Sequence, residues 1–213
     1  MSTVLAELDT VHLVDDDPQF LSAVSLLLRS RQYAVRQYDS GDRFLELYQP
    51  AETECLLIDL RMPGSDGLDV QSEMAKRRIR IPVLIVTAFA DTPCVVAAMR
   101  NGAIDVIEKP VEKDVLIRKI EDAFAHARVA RERAAETNRR IAALTPREHE
   151  VLELIYAAKT THGIARELDI SPKTVEKHRV HIFDKLGVDN VPELMKLLFA
   201  CERSVSVAST SAL

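Results

Sequence analysis

The stretch VHLVDDDPQF (residues 11–20) sets a short apolar run against three adjacent acids, Asp15, Asp16 and Asp17. An apolar run of this length, closed by an Asp-Pro pair, reads as a strand with both faces buried. Carboxylates side by side at its end repel one another, so either the segment is a solvated turn or something cationic sits among them. Asp17, which precedes Pro18, is better placed as the N-cap of a first helix with proline at the first helical position. Asp15 and Asp16 are left to be explained.

The runs YAVRQY (33–38), CLLI (55–58), VLIVT (83–87) and DVIE (105–108) continue the pattern, with helical stretches between them. Five strands and five helices are implied. Three of the runs are continuously apolar, as strands covered on both sides must be, which predicts a doubly wound α/β fold with a parallel sheet. In such sheets ligands bind beyond the carboxyl ends of the strands. The residues at those ends are Asp15 and Asp16, Asp59, Thr87, and Lys109 followed by Pro110. Three carboxylates that keep some water describe a Mg2+ site, to which a substrate phosphate adds ligands. Taken singly, each residue has a plainer reading: an Asp after a strand is a turn or cap residue, and a Lys beside a Pro lies on the surface. Their conjunction at four strand ends is what points to a site.

The 213 residues are 47 % hydrophobic, enough for one large or two ordinary cores. No run approaches the roughly 18 apolar residues of a membrane span, and MSTVLAELDT lacks the basic start and apolar centre of a signal peptide, so a cytoplasmic protein without membrane contact is expected. Cys55, Cys94 and Cys201 show no metal-like spacing and are expected to be free thiols. Charge divides the chain: residues 1–125 carry 14 Lys+Arg against 21 Asp+Glu, and residues 126–213 carry 14 against 12. The acidic half suits metal and phosphoryl chemistry, while the mildly basic half is compatible with nucleic acid without proving it.

The second half has no strand-like run. From Val111 to Ala143 the chain contains helix formers and no internal Gly or Pro, so the fifth helix is expected to run from about Glu112 past Arg139. Arg128 with Glu132 is an i,i+4 pair that supports it. Four more helices follow in LTPREHEVLELIYAAK (144–159), THGIARELD (161–169), SPKTVEKHRVHIFDKLG (171–187) and VPELMKLLFACE (191–202), before a tail, 203–213, expected to fray. Thr145, Pro146 and Glu148 fit a capping box, and Ser171 with Pro172 caps the longer basic helix. Short helix, tight turn at Asp169 and Ile170, then a longer basic helix is the helix-turn-helix arrangement. On that second helix Val175, Ile182 and Leu186 form an inward stripe, leaving Lys173, Thr174, Glu176, Lys177, Val180, His181 and Lys185 outward. A small helical bundle with a solvated charged face fits the same pattern.

Resemblance separates these readings. LVDDDP (13–18), LLIDLRMPGSDG (56–67), VLIVTA (83–88) and GAIDVIEKP (102–110) together resemble the receiver domain of bacterial response regulators over residues 1–125. The resemblance implies a flavodoxin-like sheet order, 2-1-3-4-5, with Asp59 as phosphoacceptor. Asp15 and Asp16 would be the acid pair of a Mg2+ site that Asp59 and the backbone carbonyl of Arg61 complete. Thr87 and Lys109 would contact the phosphoryl group, and Lys109-Pro110 is expected to be cis. Receivers commonly carry an aromatic residue where this chain has Val106, so the usual ring movement cannot report the switch.

Residues 144–202 resemble the LuxR-family output domain, with 126–143 as a helical linker, and the whole is similar to NarL/FixJ-type response regulators. By that resemblance Glu176, Lys177 and Val180 meet bases, while Lys173, Thr174, His181 and Thr161 lie near the DNA backbone. His162, Gly163 and Asp169 depart from the family pattern, and Gly163 costs about 1 kcal/mol of helix propensity against Ala. The implied protein is a DNA-binding transcription regulator, not an enzyme in its own right. Its partners are a histidine kinase, promoter DNA, RNA polymerase in some family members, and a second copy of itself once phosphorylated. The dimer is expected through the face of the fourth helix, fifth strand and fifth helix, around Val95, Met99 and Val106, with a second contact near Leu194 and Leu198. Two other classes fit parts of the pattern. A phosphoaspartate-forming hydrolase needs a second acid two residues after the nucleophile, where this chain has Arg61. A receiver joined to a protein-interaction bundle leaves Ser171 to Lys185 unexplained.

Overall fold

The computed structural model describes residues 8–88 and 90–205. It divides into two compact units between Ala130 and Arg131. The first contains β1 (Thr10–Val14), α1 (Pro18–Ser30), β2 (Ala34–Tyr38), α2 (Gly41–Leu47), β3 (Glu54–Asp59), α3 (Gly67–Lys76), β4 (Val83–Thr87), α4 (Thr92–Arg100) and β5 (Ala103–Glu108). Helix α5 is continuous from Lys113 to Ala142, and the division falls within it. The second unit continues with α6 (Pro146–Tyr156), α7 (Thr161–Glu167), α8 (Pro172–Leu186) and α9 (Val191–Val205).

All five strands are parallel, in the order β2-β1-β3-β4-β5. The three apolar runs are the central strands, and every residue of β1, β3 and β4 is buried. The two polar-tinged runs are the edges, where β2 leaves Arg36 and Gln37 accessible to water. Alternation along the strands feeds two cores. Val11, Leu13, Leu57 and Leu84 point to one side, against Leu21, Val24 and Leu28 of α1 and the stripe Leu116, Ile120 and Phe124 of α5. Leu56, Ile58 and Ile85 point to the other, with Phe44, Val70, Met74 and Ala98. Each such aliphatic side chain, fully removed from water, contributes about 1.5–3 kcal/mol.

A polar network crosses the second core and links β1, β2 and β3. His12, fully buried, lies 2.9 Å from Glu54 Oε2 through Nε2 and 3.1 Å from the Tyr38 hydroxyl through Nδ1. The Tyr48 hydroxyl and the Ala51 N–H donate to the same carboxylate at 2.6 and 3.0 Å. Burial and the adjacent carboxylate push the Tyr48 phenol well above its ordinary range.

Asp17 caps α1 by accepting from the Gln19 N–H at 2.8 Å, with Pro18 at the first position, as the sequence predicts. Thr145 and Glu148 form the expected capping box of α6, and Ser171 caps α8. Three expectations are corrected. Helix α9 extends to Val205, beyond the boundary set at 202, because Cys201 to Val205 contain no helix breaker. The remaining tail, 206–213, lies outside the described residues. Arg128 pairs with Asp9, a tertiary partner, and not with Glu132, while Glu136 binds Arg140 at 2.9 Å and Arg139 at 3.1 Å. Gly163 sits in the first turn of α7, where its N–H donates to the Thr160 hydroxyl at 3.1 Å and a Cβ would come within 3.3 Å of that oxygen. The mid-helix penalty therefore does not apply there in full.

Cys55 is buried and Cys94 half-buried, both as free thiols. Among the described residues no helix is long and apolar enough to cross a membrane.

Candidate functional site

Register builds the first site. Val14 is level with Ile58, so Asp15 and Asp59 come level one step later at the carboxyl ends of β1 and β3. Asp59 is level with Val86, and Thr87 with Glu108, which brings Thr87 and Lys109 to the same rim. Carboxylate oxygens of Asp15, Asp16 and Asp59 all lie within 4.8 Å of one another. Lys109 Nζ donates to Asp15 Oδ2 and Asp59 Oδ2, both at 2.6 Å, and stands 4.2 Å from the centre of the Phe20 ring. The Lys109–Pro110 peptide is cis.

The backbone supports each acid. Asp15 Oδ1 accepts from the Asp17 N–H at 3.0 Å, and Asp59 Oδ1 accepts from the Arg61 N–H at 3.1 Å. The Arg61 side chain donates to Asp91 at 3.3 Å, while its backbone N–H lies at the rim. Gly67 permits a close approach, since a Cβ there would lie 2.7 Å from the Asp59 carbonyl oxygen. Asp15 and Thr87 are fully buried, while Asp59 retains 8 % exposure and Asp16 is open to water. Desolvation raises the Asp15 carboxyl above its ordinary range against the opposing pull of Lys109. Burial draws the Lys109 ammonium downward, yet hydrogen bonds to Asp15 and Asp59 outweigh it and raise the group overall.

One ammonium facing three carboxylates leaves an excess of negative charge around hard oxygen donors. That donor set fits a small divalent cation of the Mg2+ type better than a soft transition metal, because no imidazole or thiolate is in the cluster.

The second site is the exposed side of α7 and α8. Asp169 adopts φ 52° in the turn between them, a left-handed conformation that Asp tolerates better than most residues. Val175 and Ile182 are fully buried and Leu186 nearly so, which aims the opposite side of α8 outward. Lys173, Glu176, Lys177, Val180 and His181 are exposed. The other predicted residues are engaged within the unit. Thr174 Oγ1 lies 2.8 Å from Ser171 Oγ at the helix cap, and Thr161 donates to Glu176 Oε1 at 2.7 Å. Lys185 donates to Glu148 Oε2 at 2.7 Å, and His181 Nδ1 lies 3.8 Å from the same carboxylate. Lys185 and the Thr145 N–H hold the buried Glu148 carboxyl down to about 2. Arg179, which the sequence did not single out, donates to Thr161 Oγ1 at 3.1 Å and lies 5.9 Å from the Phe183 ring centre.

Comparison with known proteins places both units. Residues 11–121 match the response regulator receiver domain, and residues 142–198 match the luxR family of bacterial regulatory proteins. Over 190 residues the chain is 35 % identical to the transcriptional regulatory protein FixJ of Bradyrhizobium diazoefficiens, covering 88 % of this chain and 93 % of that one. It is 34 % identical to the response regulator protein TmoT of Ectopseudomonas mendocina, covering 88 % and 86 %. Among solved structures it resembles the response regulator StyR, with a TM-score of 0.59, 35 % identity and coverage of 91 % and 99 %. Full-length FixJ from B. japonicum gives a TM-score of 0.55 at 34 % identity, with coverage of 91 % and 97 %. With an acidic rim on a 2-1-3-4-5 sheet at one end and a helix-turn-helix at the other, the chain belongs to the NarL/FixJ-type response regulators, the phosphorylation-activated, DNA-binding regulators of transcription.

Proposed function

We propose that Asp59 is the residue that accepts the phosphoryl group, and that its donor is a phosphohistidine on a partner kinase. The observation that carries this is the convergence of Asp15, Asp16, Asp59 and Lys109 on one rim. An Asp59 carboxylate oxygen attacks phosphorus, a P–O bond forms, the P–N bond to the kinase breaks, and the electron pair leaves with the imidazole. Lys109, already 2.6 Å from Asp59, faces charge on the transferring oxygens, and Thr87 supplies a hydroxyl at the same rim. Asp59 is 8 % exposed, open enough for a docked donor but shielded from bulk water.

Asp15, Asp16, Asp59 and the Arg61 carbonyl are the groups that would hold Mg2+. When bound, the ion neutralises the acids and the incoming phosphoryl oxygens. The chain then divides into a receiver over 1–125, a helical linker over 126–143 and a DNA-binding domain from 144 to the end of α9 at Val205. Phosphorylation is read out as dimerisation through the face of α4, β5 and α5, where Val96 and Met99 are 41 % and 46 % exposed. In the dimer two α8 helices meet two half-sites about one helical turn apart.

Labelling with acetyl phosphate tests the chemistry. Wild-type protein becomes phosphorylated only with Mg2+, and Asp59→Asn does not. Labelling that persists in Asp59→Asn, or after chelation, overturns the assignment.

A further inference from the structure

Glu176 is an anomaly on a surface meant for DNA. It is a carboxylate with 56 % of its side chain exposed, on the outward side of α8 between Lys173 and Lys177, where the phosphate field repels it. A charge in that position weakens binding to every sequence unless it meets a donor in the groove. It is also held in place. Thr161, at the first position of α7, donates to Glu176 Oε1 at 2.7 Å. The same hydroxyl oxygen accepts from Arg179 at 3.1 Å, and Arg179 lies 3.8 Å from Glu176 Oε1. Arg179 in turn is only 23 % exposed and rests near the Phe183 ring. The relay ties both helices of the helix-turn-helix to one oxygen of the carboxylate, and among the described residues none of its contacts is made to Oε2.

We propose that Glu176 selects a base pair by accepting a hydrogen bond from a cytosine amino group through Oε2, and that Thr161 and Arg179 are positioning residues that aim it. The proposal rests on the DNA-binding function of this domain. In the major groove only cytosine N4 and adenine N6 are amino donors. Adenine carries its amino group beside the N7 lone pair, which repels a carboxylate, whereas the neighbour of cytosine N4 is a C–H edge. Guanine and thymine present acceptors at the corresponding edge, so the same charge that selects cytosine rejects them. Fixing one oxygen in advance removes the rotamer entropy that a free glutamate loses on contact.

The test is selection of binding sites from a randomised duplex pool by the full-length protein with beryllofluoride and Mg2+. Wild type enriches a sequence with a cytosine at one position of each half-site, preferred by about 5- to 100-fold. Glu176→Ala levels that position. Glu176→Gln, which keeps the side-chain shape, moves the preference to adenine, because a carboxamide both accepts from N6 and donates to N7. Thr161→Val and Arg179→Gln weaken preference at that position alone, and Thr161→Ser restores it, a pattern that general loss of fold does not produce. Enrichment of the same sequence by wild type, Glu176→Ala and Glu176→Gln overturns the proposal while leaving DNA binding intact. A wild-type pool with no enriched sequence overturns the DNA-binding function and the proposal with it.

Discussion

Replacing Glu148 by Gln separates the cap of α6 from the far end of α8. The carboxylate is 3 % exposed and accepts from Lys185 at 2.7 Å and from the Thr145 N–H at 2.8 Å, with His181 at 3.8 Å. These partners lower its pKa from 4.5 to about 2. A carboxyl lowered on folding stabilises the fold fully above its unfolded pKa, and that contribution is lost as pH falls through the folded value. The full displacement corresponds to roughly 3 kcal/mol. Lys185 is 38 % exposed and therefore screened, and Gln keeps one acceptor for the Thr145 N–H. The expected loss is therefore about 1–2 kcal/mol. Hydrogen exchange of the α6 and α8 amides in the full chain reads this unit directly, and opening should be about 5- to 30-fold more frequent in the variant near neutral pH. Near pH 3.5 the difference should shrink to about 60 % of its neutral value. Equal protection in the two proteins near neutral pH, or a difference that grows on acidification, would show that Glu148 does not join the two helices.

Three further outcomes follow from the same geometry. Gly67→Ala pushes a Cβ against the Asp59 carbonyl and should destabilise the receiver by about 1–3 kcal/mol, measured by thermal melting, while slowing phosphorylation. Mg2+ should raise the melting temperature of the receiver, by the equivalent of about 2.7 kcal/mol at a hundredfold excess over Kd, and both chelation and Asp16→Asn should abolish the rise. Ser171→Ala removes the cap that accepts from the Thr174 N–H at 3.1 Å and should cost about 1 kcal/mol, seen as faster exchange in the first turn of α8.

Most of the rim was legible because it depends on strand ends. Once the runs ending at Val14, Ile58, Thr87 and Glu108 are taken as parallel strands, Asp15, Asp59 and Lys109 come together, and local Asp-Pro and Ser-Pro signals mark the helix starts. Contacts set by side-chain reach across elements were not legible. Helical spacing places Lys185 outward toward a groove, yet it bonds Glu148, 37 positions earlier. His12 reads as one polar residue in an apolar strand, and its partners Tyr38 and Glu54 are 26 and 42 residues away. Arg128 had a local partner by helical spacing but takes Asp9 from 119 residues away. Neither period 2 nor period 3.6 encodes such pairs, because they depend on how elements pack and not on the pattern within one element.

On the proposed mechanism, chemistry at Asp59 changes what the second unit does. The most direct test is a titration of full-length protein against a duplex bearing two half-sites, recovered by selection, with and without beryllofluoride and Mg2+, for wild type and Asp59→Asn. Wild type should bind about 5- to 150-fold more tightly when beryllofluoride is added, and Asp59→Asn should show no change. Equal wild-type affinity in both conditions, or the same gain in Asp59→Asn, would contradict it.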